Sequence, residues 1–185
     1  MLTFTGMTTF RLDRMSGDVR KLTAVILALA GAMVLLAKSG PPNMRGGAEL
    51  SAAALVGLIA LTWLAFRPTR FMVDEAGLRI EWPIRMRSIP RAAIAGARLV
   101  KAGDFRRAHK LDVRIGVGGL WGTFGLLRGP RETFSTWVSR SDRWVVVRLT
   151  GGARPLLLTP AQPERFVAAI GALPAGLDIL SASRS

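Results

Sequence analysis

Cysteine is absent from the 185 residues, which removes disulfides, thiolate chemistry and cysteine-ligated metal sites together. Histidine occurs once, at His109, and a lone imidazole does not make a catalytic zinc site, which takes two or three. Acidic residues are scarce as well. Twelve Asp and Glu stand against 26 Lys and Arg, giving a net charge of +14 and a pI near 11.8.

Apolar residues make up 50% of the chain and mean hydropathy is +0.32. Strong apolarity and strong positive charge together indicate a membrane protein with a basic face. A soluble nucleic-acid binder is usually basic without being this apolar. The length allows one ordinary domain plus additional segments.

Two segments supply much of the apolar character. Residues 22–37 read LTAVILALAGAMVLLA, sixteen without a charge, and residues 50–66 read LSAAALVGLIALTWLAF, seventeen more. A bilayer-crossing helix needs about 17–25 such residues. Arg20, Lys21 and Lys38 can snorkel around the first run, while Trp63 and Arg67 mark the end of the second. Two transmembrane helices, about 22–37 and 50–66, are the expectation. The alternatives are a signal-peptide core for the first run, or two buried helices of a soluble domain. The connector KSGPPNMRGGAE, with its Pro41-Pro42 and Gly46-Gly47 pairs, reads as a short external loop. Basic residues before the first run (Arg11, Arg14, Arg20, Lys21) and after the second (Arg67, Arg70) outnumber Lys38 and Arg45 between them. The positive-inside rule then places both termini in the cytoplasm.

That division leaves 1–21 as a cytoplasmic N-terminal segment, 67–175 as a domain and 176–185 as a tail. Residues 67–185 carry 20 basic and 9 acidic residues, a net +11. Their pattern is mainly of period two. In RFMVDEAGLRIEWPIRMRSIP, Phe71 and Val73, then Leu78, Ile80 and Trp82, then Ile84 and Met86 alternate around a turn at Glu75-Ala76-Gly77. KLDVRIGV sets Leu111, Val113, Ile115 and Val117 on one face. RWVVVRLTGGARPLLLT reads as a hairpin turning at Gly151-Gly152. The period then changes. Thr159 is the expected N-cap of a helix with Pro160 first, Gln162 in the capping box and an apolar face of Phe166, Val167, Ile170 and Leu173. Pro174 and Gly176 would stop it. About seven strands closed by one amphipathic helix is the count, which suits a small, partly open barrel plugged at one end.

Four stretches carry a more specific likeness: FMVDEAGLRI, IPRAAIAGARLV, GLWGTFGLLRGPRETFSTWVSRSDRWVVVRL and LLLTPAQPERFVAAI. Over about residues 67–173, with two spans in front, the chain resembles the bacterial pleckstrin-homology (PH-like) domain family, in members with two N-terminal transmembrane helices. Trp137-Val138-Ser139 departs from the Tyr-Ala-Thr of that family but keeps an aromatic and a small hydroxyl. The resemblance implies a PH-like barrel capped by a C-terminal helix, at the cytoplasmic face of a bacterial inner membrane. It implies no enzymatic activity, because the family has no settled one; a fold names an architecture before a function.

The run GVGGLWGTFGLLRGP, residues 116–130, tests the enzymatic alternative. A dinucleotide fingerprint requires a helix after the glycines and an acidic residue about 20 positions on, and a P-loop requires Gly-Lys-Ser/Thr. Here the period-two TFSTWVS follows instead. The glycines are expected to break and bend a strand at a barrel corner. Trp63, Trp121 and Phe124 are candidates for the membrane interface, where amphipathic aromatics collect.

Basic residues are densest in RMRSIPRAAIAGARLVKAGDFRRAHK. Arg85, Arg87, Arg91, Lys101, Arg106, Arg107 and Lys110 are the candidate lipid- or partner-binding residues, with Arg98 among them and Asp104 the sole acid. Near an anionic leaflet each such charge contributes about 1 kcal/mol of attraction. A solvated basic face is the plain alternative. Nucleic acid is not an expected partner, since no aromatic platform interleaves the charges. For catalysis, Asp74-Glu75 and Asp142 fall at turns, His109 reads as an exposed loop residue, and Ser135, Ser139 and Ser141 have no base placed beside them. No cofactor or metal is expected. Two functions remain: a membrane-anchored module that binds anionic headgroups or a partner protein, and an assembly subunit whose helical hairpin packs against another membrane protein. The small residues Ala28, Gly31, Ala32, Ala52, Ala53, Ala54 and Gly57 permit close helix approach in either.

Overall fold

A computed structural model describes residues 6–173 apart from 40, 112 and 119. The expected helix stop at Pro174 and Gly176, the 176–185 tail, Asp112 and Asp178 lie outside the described residues.

Ahead of the first apolar run the chain already forms a strand, β1 (Thr8–Arg11). Then α1 (Gly17–Ser39) and α2 (Pro42–Leu61) pair as a hairpin, α2 continuing as a π-helical turn over Thr62–Phe66. The helices are longer than their charge-free runs. The 23 residues of α1 rise about 34 Å, enough for a hydrocarbon core of about 30 Å. Asp18 in its first turn and Lys38 in its last oppose the helix dipole favourably. The expected connector loop is largely helical instead. Pro41 is extended, as a residue before proline must be, and Pro42 sits at the helix start, where a missing N–H costs nothing. Gly46 and Gly47 face open space within α2.

Both helices are long and apolar enough to cross a membrane, and only 17% and 11% of their spans are buried. They are therefore not core helices of the domain. Nor does α1 fit a removable leader, since β1 before it is a paired strand. Thr8–Arg11 runs antiparallel to β2 (Arg70–Asp74), which follows α2, with Phe10 opposite Phe71. The two open ends of the helical hairpin thus lie together at one edge of a sheet.

That sheet continues through β3 (Gly77–Glu81) and β4 (Met86–Pro90) in the order β1-β2-β3-β4. After a 3-10 turn at Arg91–Ala93 comes β5 (Ile94–Lys101), and a helix, α3 (Ala102–His109), follows it directly. β6 (Val113–Gly118), β7 (Thr123–Arg128), β8 (Thr133–Val138), β9 (Arg143–Leu149) and β10 (Leu156–Leu158) complete a six-stranded sheet ordered β5-β9-β10-β8-β7-β6. β10 is antiparallel to β9 and parallel to β8. The last element among the described residues is the helix α4 (Pro163–Ile170).

The architecture is thus a helical hairpin, a mainly-β region of two sheets and a C-terminal helix. Among the described residues no ladder joins the sheets into a closed barrel; the isolated bridge Leu12–Pro160 runs between them, and Ala97–Ala172 ties the segment after α4 to β5. Nine strands among the described residues follow the hairpin where about seven were expected. Period two explains the layering. Val145, Val147, Leu156 and Leu158 face the four-stranded sheet and α4, while Trp144, Val146 and Leu157 face α3. The six-stranded sheet is consequently covered on both sides. In the first core Phe166 of α4 meets Phe10 edge-on at 5.2 Å and Phe71 at 6.0 Å. Phe166 and Ile170 are buried as their spacing requires.

Four local expectations are corrected. Thr159 does not cap α4, which starts at Pro163 after Gln162 without a side-chain cap. Ile84, Met86 and Ile115 are exposed; Ile84 lies in the β3–β4 turn, and Met86 and Ile115 lie on the sheet-edge strands β4 and β6. The glycine run is a hairpin and not a broken strand: β6 turns into β7, and Gly116 stands opposite Gly125. A Cβ on Gly125 would lie 2.5 Å from the Ile115 carbonyl oxygen, so this crossing requires bare backbone. His109 ends α3 instead of lying in a loop. Half-buried, it stacks on Phe105 at 4.1 Å and its Nδ1 lies 3.0 Å from the Phe105 carbonyl oxygen. Burial lowers its pKa below the ordinary value.

Candidate membrane-facing site

The strands fix which end of the domain meets the helices. β1 leaves toward α1 through Leu12 to Ser16, and α2 returns through Arg67 to Thr69. The turns 82–85, 120–122 and 139–142 lie at this same end, and each contacts the helical hairpin or its linker. The Trp82 indole N–H donates to the carbonyl of Phe66, the last residue of the π-helical turn, at 3.1 Å. The Trp121 backbone N–H donates to Thr23 Oγ1 of α1 at 3.0 Å. Ser16 and Ser141 hydroxyls are 3.1 Å apart.

Beneath these contacts a buried hydroxyl pair locks the β1–α1 linker to the six-stranded sheet. Ser139 Oγ donates to the Asp13 carbonyl at 2.8 Å, and Ser139 N–H donates to Thr159 Oγ1 at 2.9 Å. The two hydroxyl oxygens are 3.0 Å apart, and Thr159 donates here because the Ser139 proton is already committed. Arg140 adds a charged brace, bonding Asp142 with two nitrogens and approaching Asp13 at 3.5 Å. The hydrogen bond from Arg140 holds the Asp142 carboxyl at a pKa of about 2.

Trp63 and Trp121, 58 positions apart, meet edge-on at 4.8 Å. Trp121 adopts the left-handed conformation (φ 58°), unusual for a bulky residue, and this turns its N–H toward α1. The Arg67 guanidinium lies 4.3 Å over the Trp63 ring. Burial lowers the Arg67 pKa, although a guanidinium remains charged at neutral pH. Phe124 does not join them. It is 1% exposed and packed in the core with Trp137, because the β7 alternation turns it inward. As placed here it does not reach a membrane interface.

The basic residues that are contiguous in sequence are divided in space. Arg85 sits in the β3–β4 turn, its guanidinium 4.4 Å over Trp82. Arg87 is on β4, 5.9 Å over Trp137. Arg91 lies in the 3-10 turn at the far end of β4, next to Gly171. Lys101 ends β5 at the helix-proximal end, opposite Arg143. Arg106, Arg107 and Lys110 belong to α3 and its C-cap, on the opposite side of the six-stranded sheet from β4. There Arg106 covers Trp144 at 4.7 Å and Arg107 pairs with Asp104 at 2.6 Å. One shaped pocket cannot contain both groups. The sequence reading also missed Phe10, Thr23 and Arg140; the period-two TTFRLD ahead of the first run was the available signal for Phe10.

No protein-family model matches the chain, and no curated protein or solved structure matches it either.

Proposed function

We propose that the chain is a non-enzymatic, membrane-anchored binding module. Two helices span the bacterial inner membrane, and a PH-like domain engages anionic lipid headgroups at its cytoplasmic face. The observation that carries this reading is the β1–β2 pairing across the helical hairpin, which ties the domain to the base of two exposed apolar helices. The helix-proximal end supplies the charge. Arg67, Arg85 and Lys101 lie there, with Arg14, Arg20 and Lys21 on the linker and first turns of α1. Summed electrostatics near an anionic leaflet contributes about 1 kcal/mol per residue and is screened within about 8–10 Å. The relevant surface is thus the helix-proximal rim and not the whole sequence cluster.

The test uses the full chain in vesicles of phosphatidylglycerol and phosphatidylcholine, with spin-labelled lipids reporting which headgroup accumulates beside the protein. Anionic enrichment that falls with salt and with the pair Arg67→Gln and Arg85→Gln, but not with Arg107→Gln, is expected. Equal occupancy by both lipids would reject the headgroup role. For orientation, a cysteine at Ser39 should react with an impermeant reagent in intact cells and one at Thr150 should not.

The second reading is an assembly subunit acting through the helices. Gly31 and Gly57 face open space, so the closest-approach positions of the hairpin are left free for another helix. Co-purification of a stoichiometric membrane protein that is lost on Gly31→Leu and Gly57→Leu would favour it.

A further inference from the structure

Outside the two helices, large apolar side chains are strongly exposed at few of the described residues, and two of them stand close together, Ile84 in the β3–β4 turn and Met86 at the start of β4. Ile84 is 63% exposed and Met86 58%, with Pro83 and Arg85 beside them. The turn is tied to the helical hairpin through the Trp82 indole, which donates to the carbonyl of Phe66 where the apolar span ends. It therefore stands at the level where α2 would emerge from a bilayer. The arginines at that level, Arg67 and Arg85, lie over Trp63 and Trp82, and neither forms an ion pair among the described residues. Trp82 itself is buried in the core and anchors the turn from below. The half-exposed Trp63 indole, the exposed Ile84 and Met86 and guanidinium groups without carboxylate partners make up the outer surface, the composition of one that enters the headgroup–acyl boundary.

We propose that the exposed segment Pro83–Met86, the β3–β4 turn and the first residue of β4, is a second membrane contact. Ile84 and Met86 enter the outer part of an anionic bilayer beside α2, and Arg85 stays at phosphate level. The occupant is the lipid surface itself, chosen because the turn is continuous with the helical span. This rests on the membrane-spanning reading above and adds a consequence to it. The contact would add to the Ser139–Asp13, Trp82–Phe66 and Trp121–Thr23 bonds that already tie the domain to the hairpin and its linker, and would place the edge of the four-stranded sheet against the bilayer surface.

The absence of cysteine makes the test direct, since one introduced thiol carries one fluorophore. An environment-sensitive nitrobenzoxadiazole label is placed at Ile84→Cys, at Ala28→Cys on the exposed surface of α1, or at Thr150→Cys in the far turn. Each full-length protein is reconstituted in phosphatidylglycerol–phosphatidylcholine vesicles with nitroxide lipids. The Ile84 label should emit to the blue of the Thr150 label and lose most of its intensity to a nitroxide high on the acyl chain, less to a deep one. The Ala28 label should be quenched best by the deep nitroxide. A water-like, unquenched Ile84 label with a quenched Ala28 label overturns the second contact and leaves the span intact. Failure of both labels to be quenched overturns the span as well.

Discussion

Leu35 and Leu36 on α1 are each 69% exposed, whereas Leu156, Leu157 and Leu158 on β10 are fully buried. The same side chain meets opposite surroundings in the two halves of one chain. In the β region burial is secured by layering, because alternate residues of β9 and β10 face different cores and each core has a cover. Away from their bases the helices meet mainly each other, with Ala30, Ala37 and Ala52 buried and most larger side chains outward. Apolar surface left open on this scale requires an apolar solvent or another protein. The β region supplies its own interior; the hairpin does not.

The largest test of this contrast pairs a core site with a helix site. Phe166→Ala and Phe10→Ala should each cost about 3–5 kcal/mol in unfolding of the detergent-solubilised protein, because the space they leave is enclosed by other aromatics. Leu35→Ala should change stability by no more than about 0.5 kcal/mol in the same assay. Equal losses at both sites would break the comparison.

Smaller effects belong at the junction. Ser139→Ala removes the bond to the Asp13 carbonyl and leaves Thr159 under-satisfied, at a cost of about 1–3 kcal/mol. Limited proteolysis should then open the 13–16 linker before the sheets. Gly125→Ala forces a side chain against Ile115 at a left-handed φ of 128°, with a loss of about 1–3 kcal/mol. Its backbone disturbance should spread along β6 and β7 in hydrogen exchange while α1 is unaffected.

The smallest is electrostatic. Asp142 titrates at about 2, below its ordinary 3.8, because Arg140 bonds the ionised form. A lowered carboxyl pKa stabilises the fold fully above 3.8, and the contribution is lost as pH falls through about 2. The pair is partly exposed, so Asp142→Asn should cost about 0.2–1 kcal/mol at pH 7. Wild type and variant should converge at or below pH 2. A difference that persists there would assign the loss to packing.

Much of this plan is legible along the chain. Two charge-free runs mark the helices, and the alternation of Phe71, Val73, Leu78 and Ile80 marks the opening hairpin. Gly151-Gly152, with φ of 65° and 70°, marks the turn that places β10 beside β9. Phe166 and Ile170, four apart, mark the buried face of α4. These signals are local, since a helix turn or a strand pleat repeats within a few residues and prints its period directly. β1 was hidden because a four-residue strand has too few repeats to stand out, and its partner follows 58 residues after its end. Helix α3 was hidden behind its charge: Ala102 and Phe105 are its buried residues, and they stand among Asp104, Arg106, Arg107 and His109.

By itself the sequence determined where apolar surface must be removed from water, because hydrophobic period and charge are properties of neighbouring residues. Only the tertiary structure decided which residues share a site. Pairing β1 with β2 across the helical hairpin places the domain at the helix bases, and Trp63 meets Trp121 across that junction. Inserting the six-stranded sheet between β4 and α3 separates the arginines that lie together in the chain. Those placements depend on sheet order and on which face each layer covers, and neither follows from any local period.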